Sequence, residues 1–362
     1  MINRRFFSQF DWTTFFIALT LSVLGVLFIY SATRDSSHAF YLWRQMAWVA
    51  SGLILFLMVL MIDYHTLTDY SHFLYGFGLL FLVAVLVFGT EIHGNKAWLK
   101  IGSVRLQPSE FIKILVILLL ARFFSRIDRE HLSISQLLIA AAITFIPMIL
   151  VLLQGDLGSS MTFAPVFASM AVVCGLKRKF AIIAMATVLC LAPIGWLSLK
   201  GYQRQRIMVT FNSELDPKGI GYQAQQSKIA IGSGGILGKG IFQGTQSQLG
   251  FLPARHTDFI FAVLAEETGL LGAAAVLGLY FWLLWRTLNF TRTARDKAGL
   301  LIIVGVTSLI AFHVLINVGM VIGVMPIAGI PLPFLSFGGS SMMSTFIGLG
   351  LILNVHVRRF FY

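Results

Sequence analysis

Arg255, His256, Asp258, Glu266 and Glu267 crowd the end of residues 221–269, the longest polar interval in a chain that is otherwise apolar nearly end to end. Such a cluster can supply a base, an acid and cations that hold an anionic substrate, so it is the first candidate for an active site. Asp258 leads it. The residue follows Thr257 and precedes FIFAVLAEE, a short helical stretch, so helix capping explains an aspartate there as readily as chemistry does. A helix N-terminus favours the ionised carboxylate, which suits a base and disqualifies an acid. Arg255 and His256 beside it favour a site for an anion.

Other polar groups interrupt the apolar runs. Glu110 and Lys113, in QPSEFIKILVILLLARFF, are spaced i, i+3 and share one helical face. Ionisable residues inside a span are functional candidates by default, and a structural ion pair is the competing reading. Pro108 fits the first turn of that helix. Asp156, in QGDLGSS, either caps the next helix or lines the same cavity. Ser340, in PLPFLSFGGSS, sits at a helix start whose exposed amides suit a phosphate, while its small neighbours equally suit helix packing. Asn317 reads as an interhelical hydrogen-bond former. Walker, dinucleotide-binding and HExxH patterns are absent, which removes support for nucleotide or zinc hydrolysis. Cys174 and Cys190 lie in apolar runs and read as small fillers.

These side chains need elements to position them. With 57% hydrophobic residues, 12% charged and a mean hydropathy of +0.83, the composition is that of an integral membrane protein. A hydrocarbon core about 30 Å thick takes roughly 20 apolar residues per helix. The expected fold is therefore an all-α polytopic membrane protein of about ten transmembrane helices, at 13–32, 46–62, 71–90, 108–124, 134–153, 157–175, 180–199, 270–289, 298–321 and 334–356. Residues 1–362 form one domain, and the first apolar run reads as an anchor rather than a cleaved signal. A large extracellular loop, 200–269, separates spans seven and eight. Within it 258–267 reads as an interfacial helix ended by Gly269, because a continuous helix would carry Glu266 and Glu267 into hydrocarbon.

The formal charge is +12. Short Arg and Lys clusters at span ends place both termini in the cytoplasm by the positive-inside rule. A second set of cations then falls outside: Lys96, Lys100 and Arg105 in one loop, and Arg204, Arg206, Lys228, Lys239 and Arg255 among those of the long one. A polyanionic ligand or headgroup anchoring would account for them.

The runs GYQAQQSKIAIGSGGILGKG, GTQSQLGFLPARHTDFIFAVLAEETGLLG, LQPSEFIKI, QGDLGSS, YQRQRI and PLPFLSFGGSS together resemble the shape, elongation, division and sporulation (SEDS) family over essentially the whole chain. GTQSQLGFLPARHTDF is more similar to its elongation members than to its division members. The resemblance implies a peptidoglycan glycosyltransferase of the plasma (inner) membrane that polymerises lipid II at the outer face during cell elongation and rod-shape maintenance. It also implies a class B penicillin-binding protein as transpeptidase partner, together with elongation-complex membrane proteins and membrane lipids, and no nucleic acid. The family's essential aspartate falls on Asp258, and the Glu and Lys of its Q-P-S-E-x-x-K motif fall on Glu110 and Lys113. Many relatives carry Glu where Ala254 stands.

In that reaction an N-acetylglucosamine 4-hydroxyl attacks the anomeric carbon of N-acetylmuramic acid and undecaprenyl diphosphate leaves. A diphosphate needs charge compensation rather than a proton, so one carboxylate base and a cationic surround suffice. Asp258 is then the base. Lys113, Arg204, Arg206 and Lys239 are candidates for the diphosphate and glycan path, with Glu110, Asp156 and Ser340 also facing substrate. A divalent cation, Mg or Mn, stays open, since Asp258 and Asp156 form no ligand motif, and no organic cofactor is expected. The alternatives are a lipid II flippase and a non-catalytic scaffold for a penicillin-binding protein.

Overall fold

The computed structural model of this chain describes residues 9–359 apart from 35–37, 93–94, 103, 129–130, 212–214, 218 and most of 181–200. Two long helices open it, α1 (Trp12–Ala32) and α2 (His38–Met61), followed by the short α3 (Tyr64–Asp69) and by α4 (Ser71–Phe88). A small sheet comes next, β1 (Thr90–Ile92), β2 (Asn95–Ile101) and β3 (Val104–Leu106), and then α5 (Pro108–Ser125) and α6 (Ile134–Leu153). α7 (Leu157–Met161), α8 (Phe163–Val173), α9 (Gly201–Phe211), α10 (Ile220–Gly234) and α11 (Thr245–Gln248) lead to α12 (Ile260–Phe290), α13 (Lys297–Val321) and α14 (Gly339–Arg358).

The chain is a multi-pass helical membrane protein. Seven described helices are long and apolar enough to cross a bilayer. α5 falls outside that set because it carries Glu110, Lys113 and Arg122, although most of its residues are buried in the bundle. The sixth expected span is broken at Thr162 into α7 and α8. The seventh, 180–199, lies largely outside the described residues.

The sheet corrects the all-α expectation. In residues 95–101, NKAWLKI, period two puts Ala97 and Leu99 on one face and Lys96, Trp98 and Lys100 on the other, which suits a strand with one covered face. β2 pairs antiparallel with both β1 and β3, and Ala97 is buried beneath it.

α12 breaks at Gly269, whose φ of 67° and ψ of −165° interrupt the helical path, as the composition of the segment suggests. The stretch before the break is not spread across a surface, however: residues 260–267 are buried in the protein. A helix broken away from water leaves orphan carbonyls before the break and orphan amides after it. The loop between α10 and α11 satisfies both sets. Glu266 O and Glu267 O accept from the amides of Lys239 (3.1 Å) and Gly240 (3.0 Å). Leu270 and Leu271 donate to Gly235 O (2.9 Å) and Ile236 O (3.2 Å). Strand-like approach at this distance requires glycine, because a Cβ at Gly269 would run into the Gly238 nitrogen.

Around this frame α14 packs along α2, α5 against α4 and α13, and α10 along α12. The core runs continuously through them, with Phe124, Phe259, Phe334 and Phe346 fully enclosed.

Candidate active site

Asp258 lies in the turn that precedes α12, and the turn is held by its backbone. His256 O accepts from Phe337 N (3.0 Å) and Thr257 O from the Ser336 hydroxyl (2.7 Å). Asp258 O accepts from Asn317 Nδ2 (3.0 Å). Three successive carbonyls are thus fixed by α13 and by the segment leading into α14. The carboxylate itself is only partly buried, and one of its oxygens faces Gly329. The N-cap position of α12 is Phe259 rather than Asp258. Ala254 (φ 51°) and Phe334 (φ 65°) both occupy the left-handed region, at about 1–3 kcal/mol each, and both lie in the segments that shape this turn.

His256 packs its ring 4.7 Å from Tyr41 and 5.6 Å from Phe337. Burial, reinforced by the adjacent Arg255, pushes its pKa down to about 4, so the imidazole is neutral near neutral pH. It is no cation for a diphosphate. Arg255 reaches away from the turn to the Ser247 carbonyl.

A polar track runs from this turn into the bundle. Asn317 donates also to Ile330 O (2.8 Å). One helical turn earlier on α13, His313 meets Pro331 O (3.2 Å) with Nδ1 and Lys113 Nζ (3.3 Å) with Nε2. Lys113 pairs with Glu110 at 2.7 Å, and both are 2% exposed. Ser344 on α14 donates to the other Glu110 oxygen (3.3 Å). One turn further along α5 and α14, Gln107 N donates to Ser340 Oγ (2.9 Å) and Gln107 Nε2 to Asp156 (2.7 Å). Glu110, Lys113, Pro333 and Ser344 line a small cavity with His313.

Asp156 serves as a cap as well as a member of the track, accepting from Ser159 N (3.0 Å) at the start of α7. Its burial raises its pKa, opposed by the Ser159 hydrogen bonds and reinforced by Glu110. The neighbouring Gly158 is what lets α7 come this close: a Cβ there would overlap Ala328 O. The structure therefore gathers these residues into three hydrogen-bonded groups along the helices: Asp258 with Asn317 and Ile330, Lys113 and Glu110 with His313 and Ser344, and Ser340 and Asp156 with Gln107.

The other two groups of expected residues lie elsewhere. Lys239 pairs with Glu266 (2.8 Å) in the loop that clasps Gly269. Glu266 also accepts from the Thr245 hydroxyl (3.2 Å) and from the amides of Gln246 (2.9 Å) and Ser247 (3.2 Å). Arg204 and Arg206 are on α9, where Arg204 donates to Leu197 O (2.5 Å). Among the described residues no three His, Cys, Asp or Glu side chains converge.

The FtsW/RodA/SpoVE profile, described as cell cycle protein, matches residues 11–360. The chain belongs to this family. It is 40% identical over 350 residues to peptidoglycan glycosyltransferase MrdB of Escherichia coli K12, covering 96% of this chain and 94% of that one. With peptidoglycan glycosyltransferase RodA of Treponema pallidum it shares 33% over 428 residues, 97% and 98% of the two chains. A chain solved in a study of structural coordination of polymerization and crosslinking by a peptidoglycan synthase complex superposes with a TM-score of 0.84 at 32% identity, covering 97% and 98%. Rod shape determining protein RodA of Thermus thermophilus superposes at 0.73 with 28% identity and the same coverage.

For this member of the FtsW/RodA/SpoVE family, His313, Ser336 and Ser344 are the site residues that sequence reasoning missed. His313 had a readable signal, a histidine four residues before Asn317 on one face of an apolar helix. Ser336 and Ser344 had none, since a serine in a small-residue helix end more often packs than bonds.

Proposed function

We propose that this chain polymerises lipid II into glycan strands at the outer face of the plasma membrane, with Asp258 as the general base on the acceptor 4-hydroxyl and undecaprenyl diphosphate as leaving group. The enzyme class, peptidoglycan glycosyltransferase, rests on the relatives of that name that match nearly the whole chain. The role of Asp258 rests on one observation: the turn that carries it is tied at three successive carbonyls, 256 to 258, while the residue stays partly exposed and is not the N-cap of α12. A base must be fixed in position yet reach its substrate, and such a group contributes about 10²–10⁴-fold.

The other parts divide the work. Lys113 neutralises Glu110 inside the bundle, so the pair holds α5, α13 and α14 in register and carries polar groups toward the turn. Arg204 and Arg206 remain the cations proposed for the diphosphate, and Lys239 acts through Glu266 by fixing the loop. The resemblance of the fold to a chain from a peptidoglycan synthase complex supports a class B penicillin-binding protein as partner.

The test is lipid II polymerisation in detergent, where movement across a bilayer cannot be the readout, with the purified protein and its transpeptidase partner. Asp258→Asn is expected to lose about 10²–10⁴-fold in rate while folding and binding the partner normally. Glycan strands forming at the wild-type rate would remove Asp258 from the mechanism.

A further inference from the structure

The β1–β2–β3 sheet has no part in the proposed chemistry, yet its outer face is built in a way that a sheet standing alone would avoid. Lys100 on β2 and Arg105 on β3 are register partners, directly opposite one another in an antiparallel pair. Both side chains are exposed. Like charges placed directly across two strands repel, so this pair weakens the β2–β3 contact unless an anion lies between them. Neither forms an ion pair among the described residues. Glu91, the one carboxylate of the sheet, sits on β1 at the far edge, which pairs with the opposite half of β2.

Two features say what kind of anion fits. Trp98 lies two residues before Lys100 and so on the same face, while Ala97 on the other face is buried. The sheet also starts two residues after Phe88, the exposed last residue of a membrane-length helix, and ends two residues before α5. Lys96 is already used at this edge, donating to Val87 O at the end of α4 (3.0 Å). A half-buried tryptophan and exposed cations at the end of an apolar span belong to the headgroup layer of a bilayer. We propose that Lys100 and Arg105 clamp the phosphate of an anionic phospholipid, with Trp98 beside it at headgroup depth, and that this lipid pins the sheet and hence the start of α5.

Full-length protein in nanodiscs of phosphatidylcholine alone, or with phosphatidylglycerol mixed in, tests this by native mass spectrometry and thermal unfolding. Wild type is expected to retain phosphatidylglycerol several-fold above Lys100→Glu and Arg105→Glu, and to gain thermal stability from it that both variants lack. Each single variant replaces repulsion by attraction across the strands, so in phosphatidylcholine alone it should melt no lower than wild type; this separates lost lipid from lost fold. Exchanging both charges in Lys100→Glu/Arg105→Glu restores the repulsion and should abolish retention. Equal retention by wild type and the single variants overturns the proposal. So does inorganic phosphate at matched ionic strength reproducing the whole stabilisation, or variants that keep the lipid and lose a protein partner instead.

Discussion

Asp258 and Glu266 are carboxylates of the same polar interval, and the fold treats them in opposite ways. Around Asp258 the backbone carbonyls of 256 to 258 are tied, by Phe337, Ser336 and Asn317, and the residue remains partly exposed. At Glu266 the side chain is tied, by Lys239, Thr245 and the amides of Gln246 and Ser247, and it is fully buried. A group that takes a proton from a substrate must be reachable. A group that anchors a loop commits its lone pairs to that loop. The contrast distinguishes a site from its scaffold within a single motif-rich stretch, where residue type alone does not.

The contrast breaks if the two residues respond alike to substitution. Glu266→Ala leaves the buried Ser247 amide and the part-buried Gln246 amide without their acceptor, while the partly exposed Lys239 keeps Thr245, and is expected to cost about 2–4 kcal/mol of stability. Denaturant or thermal unfolding in micelles measures it. Asp258→Asn should move the same transition by less than about 0.5 kcal/mol, since a partly exposed, near-isosteric exchange leaves the backbone ties intact. An Asp258 variant as unstable as the Glu266 variant would make both of them scaffold.

A smaller effect sharpens the Asp258 side. Asn317→Ala removes the donor to Asp258 O and to Ile330 O, at about 1–3 kcal/mol of stability. As a positioning residue its loss should lower kcat for lipid II polymerisation about tenfold and leave KM nearly unchanged. A variant that raised KM alone would mean that Asn317 binds substrate rather than holding the turn.

Much of this arrangement was legible in the residues, and the remainder has physical reasons for being hidden. Glu110 and Lys113 announced themselves because an i, i+3 ion pair is the economical way to bring charge into a span, and the structure joins them at 2.7 Å. Gly269 announced the break in α12. What followed from that break did not show. The cost of charge in hydrocarbon suggested that Glu266 and Glu267 lie at a surface, yet burial was achieved by bringing partners to them, and partners from residues 235–248 are set by tertiary folding. The ties on Asp258 come from residues near 317 and 336, whose pairing with the turn has no local sequence signature. The sheet was missed because three short strands between two long apolar runs are outweighed by the helical periodicity around them.

The finest test concerns His256, the neighbour of Asp258. Burial and Arg255 hold its pKa at about 4 in the folded protein, against an ordinary value near 6.5. Above pH ~6.5 the imidazole is neutral in both folded and unfolded chains and contributes no pH dependence. As pH falls from about 6.5 toward 4, the unfolded chain takes up the proton first, so the folded state loses stability across that window. Complete separation of the two values sets an upper limit of about 3 kcal/mol, and about 1–2 kcal/mol is expected for a ring that is not fully enclosed. His256→Phe keeps the contacts with Tyr41 and Phe337 and removes the titration, so its unfolding free energy should flatten relative to wild type between those pH values. Polymerisation at pH 7–8 should persist in that variant, because a neutral imidazole offers the diphosphate no charge to lose. A fall in rate there as deep as that of Asp258→Asn would place His256 in the chemistry and shift the base from one residue to a pair.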